Sequence, residues 1–373
     1  MKRLTLVTMQ LKTPGGIERF ISTLAEMLSN DYQIEIVSNY GKPTDTLAFP
    51  LPKNVKLAFL TPIQPQEVSM KKLITSLKWH KIPAELKRRK KITSTQNKVF
   101  KNYFKNLKTD YIITDRALYS KLVAKYYHGN AKKIATDHNF HQNNPRYINE
   151  LLSSIKTFDC LVVATKELKE FYSSKTSVKC LEIPNSLPRI PNKKSKLNSN
   201  NLLSVGRLVP EKDYPLLINT MRIVHDKNPD IHLTIVGDGL EKPSLKAQIK
   251  SLDLGSVITL TGWLPQSEIE KYYYDSSLFI MTSKTEAFGL ALTEAMSYGL
   301  PCLTLARTSG ARSQITPENG ILLHEANPNL IAEKILEAFS NRTALFNYQT
   351  KINSNITNYS AQAVKESWLN LLN

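Results

Sequence analysis

The chain has 373 residues, 41% hydrophobic and 22% charged, with a net charge of +18 at neutral pH. That is ordinary globular composition with room for two α/β domains, and with no run of 18 apolar residues it offers no spanning helix. The opening MKRLTLVTMQLKTPGG has too short and interrupted an apolar part for a signal peptide and reads as a first buried strand entering a glycine turn. Cys160, Cys180 and Cys302 have no metal or redox spacing and sit in apolar runs, as free thiols do in a reducing cytoplasm.

The charge is one-sided. Residues 1–190 hold 32 Lys and Arg against 15 Asp and Glu, a net +17, whereas residues 191–373 hold 18 against 17. An anionic partner is therefore expected at the first half. There, apolar runs at Leu4–Met9, Ile34–Ser38, Val55–Leu60, Tyr111–Asp115, Lys133–Asp137, Cys160–Thr165 and Lys179–Pro184 read as strands, with helical patterns between most of them. Continuous apolar strands alternating with helices predict a parallel, doubly wound sheet.

Between Lys71 and Lys108 the alternation breaks, with 13 Lys and Arg against the single acid Glu85. Apolar residues recur through it, among them Trp79, Leu86, Phe100 and Phe104. Two readings fit: surface helices with solvated lysines, or a basic amphipathic face for anionic lipid or a polyanionic acceptor. The one-sided charge favours the second, and no recognised nucleic-acid module accompanies it.

SLPRIPNKKSKLNSNN is polar, proline-bearing and aperiodic, which predicts a linker at residues 186–200 after a first domain of residues 1–185. Alternation restarts with strands at Leu202–Gly206, Leu233–Asp238, Ile258–Trp263, Leu278–Met281, Cys302–Ala306 and Gly320–Leu323, giving a second doubly wound domain over residues 201–355. Residues 356–373 end in a helix capped by Ser360 with an apolar face of Val364, Trp368, Leu371 and Leu372, expected to pack back toward the first domain.

In open parallel sheets ligands bind beyond the carboxyl ends of the strands, so the polar residues there carry the chemistry. After the first strand, Gly15 and Gly16 permit close backbone approach ahead of a helix, as in a phosphate cradle, although turn chemistry alone also explains the pair. His138, followed by Asn139 and His141, leaves the strand Lys133–Asp137; a lone histidine is often structural, but this position favours a site. Arg207 and Lys212 lie before a helix starting near Asp213, a spacing that suits a diphosphate if they are not simply solvated. The DGLE turn after Leu233–Asp238 needs no function. The stretch SKTEAFGLALTEAMSYGLP, Ser283 to Pro301, follows a buried strand and opens a helix near Gly289, with Glu286 in the loop and Glu294 one turn inside. A helix N-terminus attracts phosphate, whereas carboxylates accept from vicinal hydroxyls, and a nucleotide sugar offers both.

GGIER, TDH, SVGRLVPEKDYPLLI, IVGDG, the TGW turn and above all EAFGLALTE resemble the retaining glycosyltransferases of family 4, over nearly the whole chain. The resemblance implies the GT-B fold, two Rossmann-like domains facing across a cleft, with the acceptor on the first and the nucleotide sugar on the second. It implies that Arg207 and Lys212 neutralise the leaving diphosphate and that Glu286 faces the donor-sugar hydroxyls. Phe288, Gly289 and Leu290 would present backbone N–H groups, Glu294 would accept from the ribose, Gly16 would approach the phosphates or sugar, and His138 would lie near the reacting sugar. Asn185 matches a position near the family's hinge and receives no catalytic role.

No Asp-x-Asp motif occurs, and fixed cations can stabilise the leaving charge without a metal or other cofactor. UDP is the expected base. The expected acceptor is lipid-linked or an anionic polymer of a surface polysaccharide, at the cytoplasmic face of the membrane. The turn RTSGARSQI, Arg307 to Ile315, departs from the family's acidic, glycine-rich form: Gln314 stands where an acid is common, and Arg307 and Arg312 are open to the donor or an anionic acceptor. A nucleotide-sugar epimerase of the same fold, a non-catalytic carbohydrate-binding partner subunit and a glycosidase using two carboxylates are the rival readings. The basic first half fits an epimerase poorly, and the intact Arg207, Lys212, Glu286 and Glu294 argue against a non-catalytic subunit.

Overall fold

The computed structural model describes residues 1–61, 79–140 and 144–373. His141 and the start of the basic stretch, 71–78, lie outside the described residues. Two parallel sheets form. The first contains β1 (Arg3–Thr8), β2 (Gln33–Tyr40), β3 (Lys56–Thr61), β4 (Tyr111–Thr114), β5 (Lys132–Asp137), β6 (Cys160–Val163) and β7 (Lys179–Glu182), in the order β3-β2-β1-β4-β5-β6-β7. The second contains β8 (Asn201–Val205), β9 (His232–Val236), β10 (Ile258–Gly262), β11 (Leu278–Met281), β12 (Cys302–Leu305) and β13 (Gly320–Leu323), in the order β10-β9-β8-β11-β12-β13. Every strand expected from the apolar runs is present, with ends moved by one or two residues. Central strands such as β4, β6, β11 and β12 are buried at every position, which is why they read as unbroken apolar runs.

In each sheet the chain works outward from one central strand, then returns to that strand's other side: β1 and β4 are neighbours in the first, β8 and β11 in the second. The loops leaving these strands turn opposite ways and open a crevice. Helix α1 (Gly16–Leu28) follows β1.

The described part of the basic stretch becomes helix α2 (Ile82–Asn106). Its second half is anchored by buried Phe100 and Phe104, with Phe100 stacked on Tyr119 at 6.0 Å and Tyr103 donating to Glu35 at 2.7 Å. Its first half is largely exposed; Arg88 and Arg89 close on Glu85, pulling that carboxyl down to about 2, while Leu86, Lys87, Lys90 and Lys91 face solvent. No helix among the described residues is long and apolar enough to cross a membrane.

The polar connection at residues 186–200 is packed rather than free. Leu187 and Leu197 bury in the second domain's core, and the Ser195 amide donates to the Tyr298 carbonyl at 2.8 Å. After a short turn at Ile356–Tyr359 the last helix, Ala361–Leu372, crosses back. Val364, Trp368 and Leu372 bury with Leu4, Phe20 and Ile21 of the first domain, and Lys365 pairs with Asp31 at 2.7 Å. The two crossings touch, the Leu187 amide donating to the Tyr359 carbonyl at 2.8 Å. All three cysteines are buried free thiols; burial pushes Cys160 up to about 12 and Cys180 and Cys302 upward too, so none is a ready thiolate.

Candidate active site

The second domain's crevice is built from the loops after β8 and β11. After β8 the chain passes Gly206 and Arg207, makes one tight turn at Pro210–Lys212, and enters helix α3 (Tyr214–Lys227) through Asp213 in the left-handed conformation, φ 55°. A Cβ on Gly206 would stand 3.2 Å from the Lys212 side chain, so glycine leaves the lysine stem its path. Thr282, at the end of β11, donates to the carbonyls of Lys212 and Asp213 at 3.0 and 3.1 Å, stitching the two loops together. Lys212 Nζ consequently donates to Glu286 Oε1, which also accepts from Ser283 Oγ at 3.3 Å. The Arg207 side chain is exposed and has no hydrogen-bond or ion-pair partner among the described residues.

The loop after β11 is held by its carbonyls. Ser309 Oγ donates to Ala287 O at 2.9 Å, Gln314 Nε2 donates to Phe288 O, and a Cβ on Gly310 would lie 2.0 Å from that same oxygen, so only glycine fits there. Gly289, at φ 83°, then opens helix α4 (Leu290–Ser297). Having no side chain, it leaves the first-turn N–H groups without a side-chain cap. Gly15 likewise has no side chain to cap α1, although the Glu18 carboxylate in that first turn accepts from its own backbone N–H. The two helix starts meet: a Cβ on Gly16 would stand 3.9 Å from Leu290. One turn further on, Arg19 of α1 lies 4.0 Å from Glu294 of α4 and donates to Gln266 at 3.2 Å. Glu294 also accepts from the buried Tyr273 hydroxyl at 3.3 Å, and burial raises its carboxyl, with Arg19 and Tyr273 pulling the other way.

Two adjacent helix N-termini, one from each domain, with Lys212 and an unpaired Arg207 on the loop after β8, form a setting for a diphosphate. Among the residues expected to act, Gly15, Gly16, Phe288, Gly289 and Leu290 lie at these helix starts. Lys212 and Glu286 are in contact, and Glu294 sits one turn inside.

His138 leaves β5 on the first domain's side. Its Nε2 lies 3.0 Å from Thr136 Oγ1 and its ring 4.3 Å from that of Phe20. Burial, with Arg116 nearby, pulls the imidazole down to about 3, so it is neutral at physiological pH and suits a hydrogen bond to a hydroxyl. The Asp137 carboxylate beneath it accepts from Tyr172 and Tyr147 at 2.5 and 3.0 Å and fixes the loop.

Two expectations change. Arg307 is not open to a donor or acceptor: its Nη1 donates to Asp213 at 2.8 Å, beside Lys284 at 3.0 Å. Arg312 reaches across the domains to Glu167, its Nε donating to Oε2 at 2.8 Å. Both arginines hold the scaffold. Gln314 has a structural reason to be an amide: besides donating to Phe288 O it accepts from Thr293 Oγ1 at 2.6 Å, and a carboxylate supplies no such donor.

A cluster at the first sheet's crevice carried no expectation. Asp115, fully buried after β4, accepts from Thr8 at the end of β1 at 2.6 Å, and burial pushes it up to about 7. Arg116 lies 3.8 Å from Asp115 and 3.9 Å from Glu18 of α1. Burial raises Glu18, while its own backbone amide, Arg116 and Arg207 lower it. The available signal was an Asp-Arg pair directly after a strand and the glutamate of GGIER.

The family model for glycosyl transferases group 1 matches residues 188–359. An uncharacterized glycosyltransferase of Haemophilus influenzae is 26% identical, and the amylovoran biosynthesis glycosyltransferase AmsD of Erwinia amylovora 24% identical, each over the full length of both chains. Among solved structures, TarM superposes with a TM-score of 0.81 at 17% identity, covering 100% of this chain and 99% of that one. HepE of Anabaena, in complex with UDP, superposes with a TM-score of 0.72 at 15% identity over 99% of both chains. Residues 188–359 thus match the group 1 glycosyltransferases, and the two facing sheets have the GT-B fold.

Proposed function

We propose that the chain moves a sugar from a nucleotide-sugar donor, UDP-linked by preference, to an acceptor in cell-surface polysaccharide synthesis, with retention at the anomeric carbon and without a metal. The observation that carries this reading is the meeting of two glycine-opened helix N-termini beside Lys212 and Arg207. As the anomeric C–O bond breaks, charge grows on the diphosphate, and fixed N–H groups and cations stabilise that charge more than the ground state. The acceptor oxygen attacks the same face and its proton passes to the leaving phosphate, so no protein nucleophile is required. Lys212 exchanges Glu286 for phosphate, freeing that carboxylate for donor-sugar hydroxyls. Glu294 accepts from the ribose, and neutral His138 bonds a sugar hydroxyl.

The relatives' names support the substrate class, since AmsD is an amylovoran biosynthesis enzyme. A relative over 66% of this chain, from Staphylococcus aureus, is a poly(ribitol-phosphate) alpha-N-acetylglucosaminyltransferase, 27% identical. The exposed lysines of α2 suit an anionic membrane at its cytoplasmic face, where a lipid-linked or anionic acceptor is met. The test is incubation with UDP-, GDP- and dTDP-sugars in the presence of a chelator. Release of nucleoside diphosphate, and of an anomerically retained product when acceptor is present, is expected. Release of a 2-epimer, or no turnover of any donor, overturns the reading.

A further inference from the structure

We propose that Glu18 and Arg116, steadied by Asp115, form the subsite that grips the accepting sugar by uncharged ring hydroxyls. The proposal rests on the transferase reading above and adds the chemistry of the acceptor to it. The three residues come from the loops after β1 and β4, the two strands that flank the first sheet's crevice. Asp115 Oδ1 and Arg116 Nε are both buried and both lack a hydrogen-bond partner among the described residues, although they face each other at 3.8 Å. A guanidinium drawn onward by about 1 Å would bond that oxygen at ordinary length. Asp115 is therefore a positioning residue, its other oxygen fixed by Thr8 at 2.6 Å.

The outer edge of Arg116 does not bond Glu18 either: Nη2 and Oε1 stand 3.9 Å apart, longer than a hydrogen bond. A donor and an acceptor held side by side match a hydroxyl, which accepts from one and donates to the other, and two vicinal hydroxyls match them better. An anionic group does not fit, because two carboxyls flank one guanidinium. Glu18 Oε2 crowds the Cβ position of Gly15, and the neighbouring Gly16 faces Leu290 of the second domain at 3.9 Å, so the pair borders the crevice rather than a remote face. His138, whose ring feels Arg116, borders the same space. Any negative charge on a natural acceptor then has to be met elsewhere, and the lysines of α2 are available for it.

The experiment reads how the activated donor partitions between water and sugar, so that donor handling and acceptor handling separate. Full-length protein is given each nucleotide sugar with methyl glucoside, methyl galactoside, methyl N-acetylglucosaminide or methyl glucuronide, and the ratio of transfer to hydrolysis is measured. The wild-type protein is expected to transfer to at least one neutral glycoside and about tenfold less to the glucuronide. Glu18→Gln and Arg116→Lys are each expected to lower the transfer-to-hydrolysis ratio at least about tenfold, the size of losing one charged hydrogen bond. Asp115→Asn is expected to raise the acceptor KM more than it lowers kcat, and it also serves if Glu18→Gln fails to fold. Folded variants that keep the wild-type ratio overturn the proposal. Hydrolysis without transfer to any neutral glycoside overturns it while the transferase reading stands, and no hydrolysis of any donor removes both.

Discussion

The two crevices share one topology and differ in how their charges are matched. In the second domain cations meet acids directly: Lys212 pairs with Glu286, and Arg307 and Lys284 pair with Asp213. In the first domain Asp115 is buried with one oxygen unpaired, Glu18 and Arg116 stand beyond bonding distance, and His138 is held neutral. On the proposed reading the matched crevice takes a ligand whose charge is large and fixed, a diphosphate that would replace one partner of an existing pair. The unmatched one would suit weakly polar groups: burial raises Asp115 and Glu18 there, as it does Glu294 in the second domain, but among the described residues no acid in it closes on a cation at bonding distance.

The comparison breaks most visibly if the matched pair is dispensable. Lys212→Ala and Glu286→Ala are each expected to lower nucleoside diphosphate release by about 10²–10³-fold, the loss typical of a preorganised charge partner, with unchanged circular dichroism. Near-normal rates in either would move the chemistry elsewhere. Next comes the support of the loop. Gln314→Glu exchanges a donor for an acceptor against the Phe288 carbonyl and is expected to cost about 2–4 kcal/mol of stability, read from urea midpoints, with a raised donor KM.

The unmatched crevice is probed by pH. Asp115 has its ordinary 3.8 in the unfolded chain and about 7 when folded, so the folded state binds the extra proton. The stability from that proton is fully present below about 4 and is lost as pH rises to about 7. Asp115→Asn is therefore expected to flatten the fall in melting temperature between pH 5 and 7 and to leave the variant more stable than wild type at pH 8. An unchanged slope would mean that the carboxyl is solvated. The smallest effect concerns α2: replacing Lys87, Arg88, Arg89, Lys90 and Lys91 by glutamine is expected to weaken binding to vesicles containing phosphatidylglycerol, most at low salt. Binding indifferent to the change would leave the helix as solvated surface.

The sheets were legible because buried parallel strands are unbroken apolar runs, and the strand-end glycines and acids were legible because function clusters there. Partners were not. Arg312 meets Glu167 from 145 positions away, and Arg307 meets Asp213 from 94 away; nothing local in the chain forecasts either pairing. The Thr8–Asp115 bond exists only because β1 and β4 lie side by side, a neighbourhood fixed by strand order rather than by any motif. Gln314 looked like a departure from its relatives because a motif records residue types and not which carbonyl needs a donor.

The chain passes between the lobes twice, once near Leu187 and once near Tyr359, and the two strands of that passage are bonded to each other. Two crossings bonded to each other constrain the lobes more than one would, as two pins constrain a door. A single proteolytic nick in the first passage would leave the halves leashed by the second, with Trp368 as the bolt. On the proposed reading, any closure about substrate would be guided by both crossings together and would bring the helix starts at Gly16 and Leu290 back to the same mutual address.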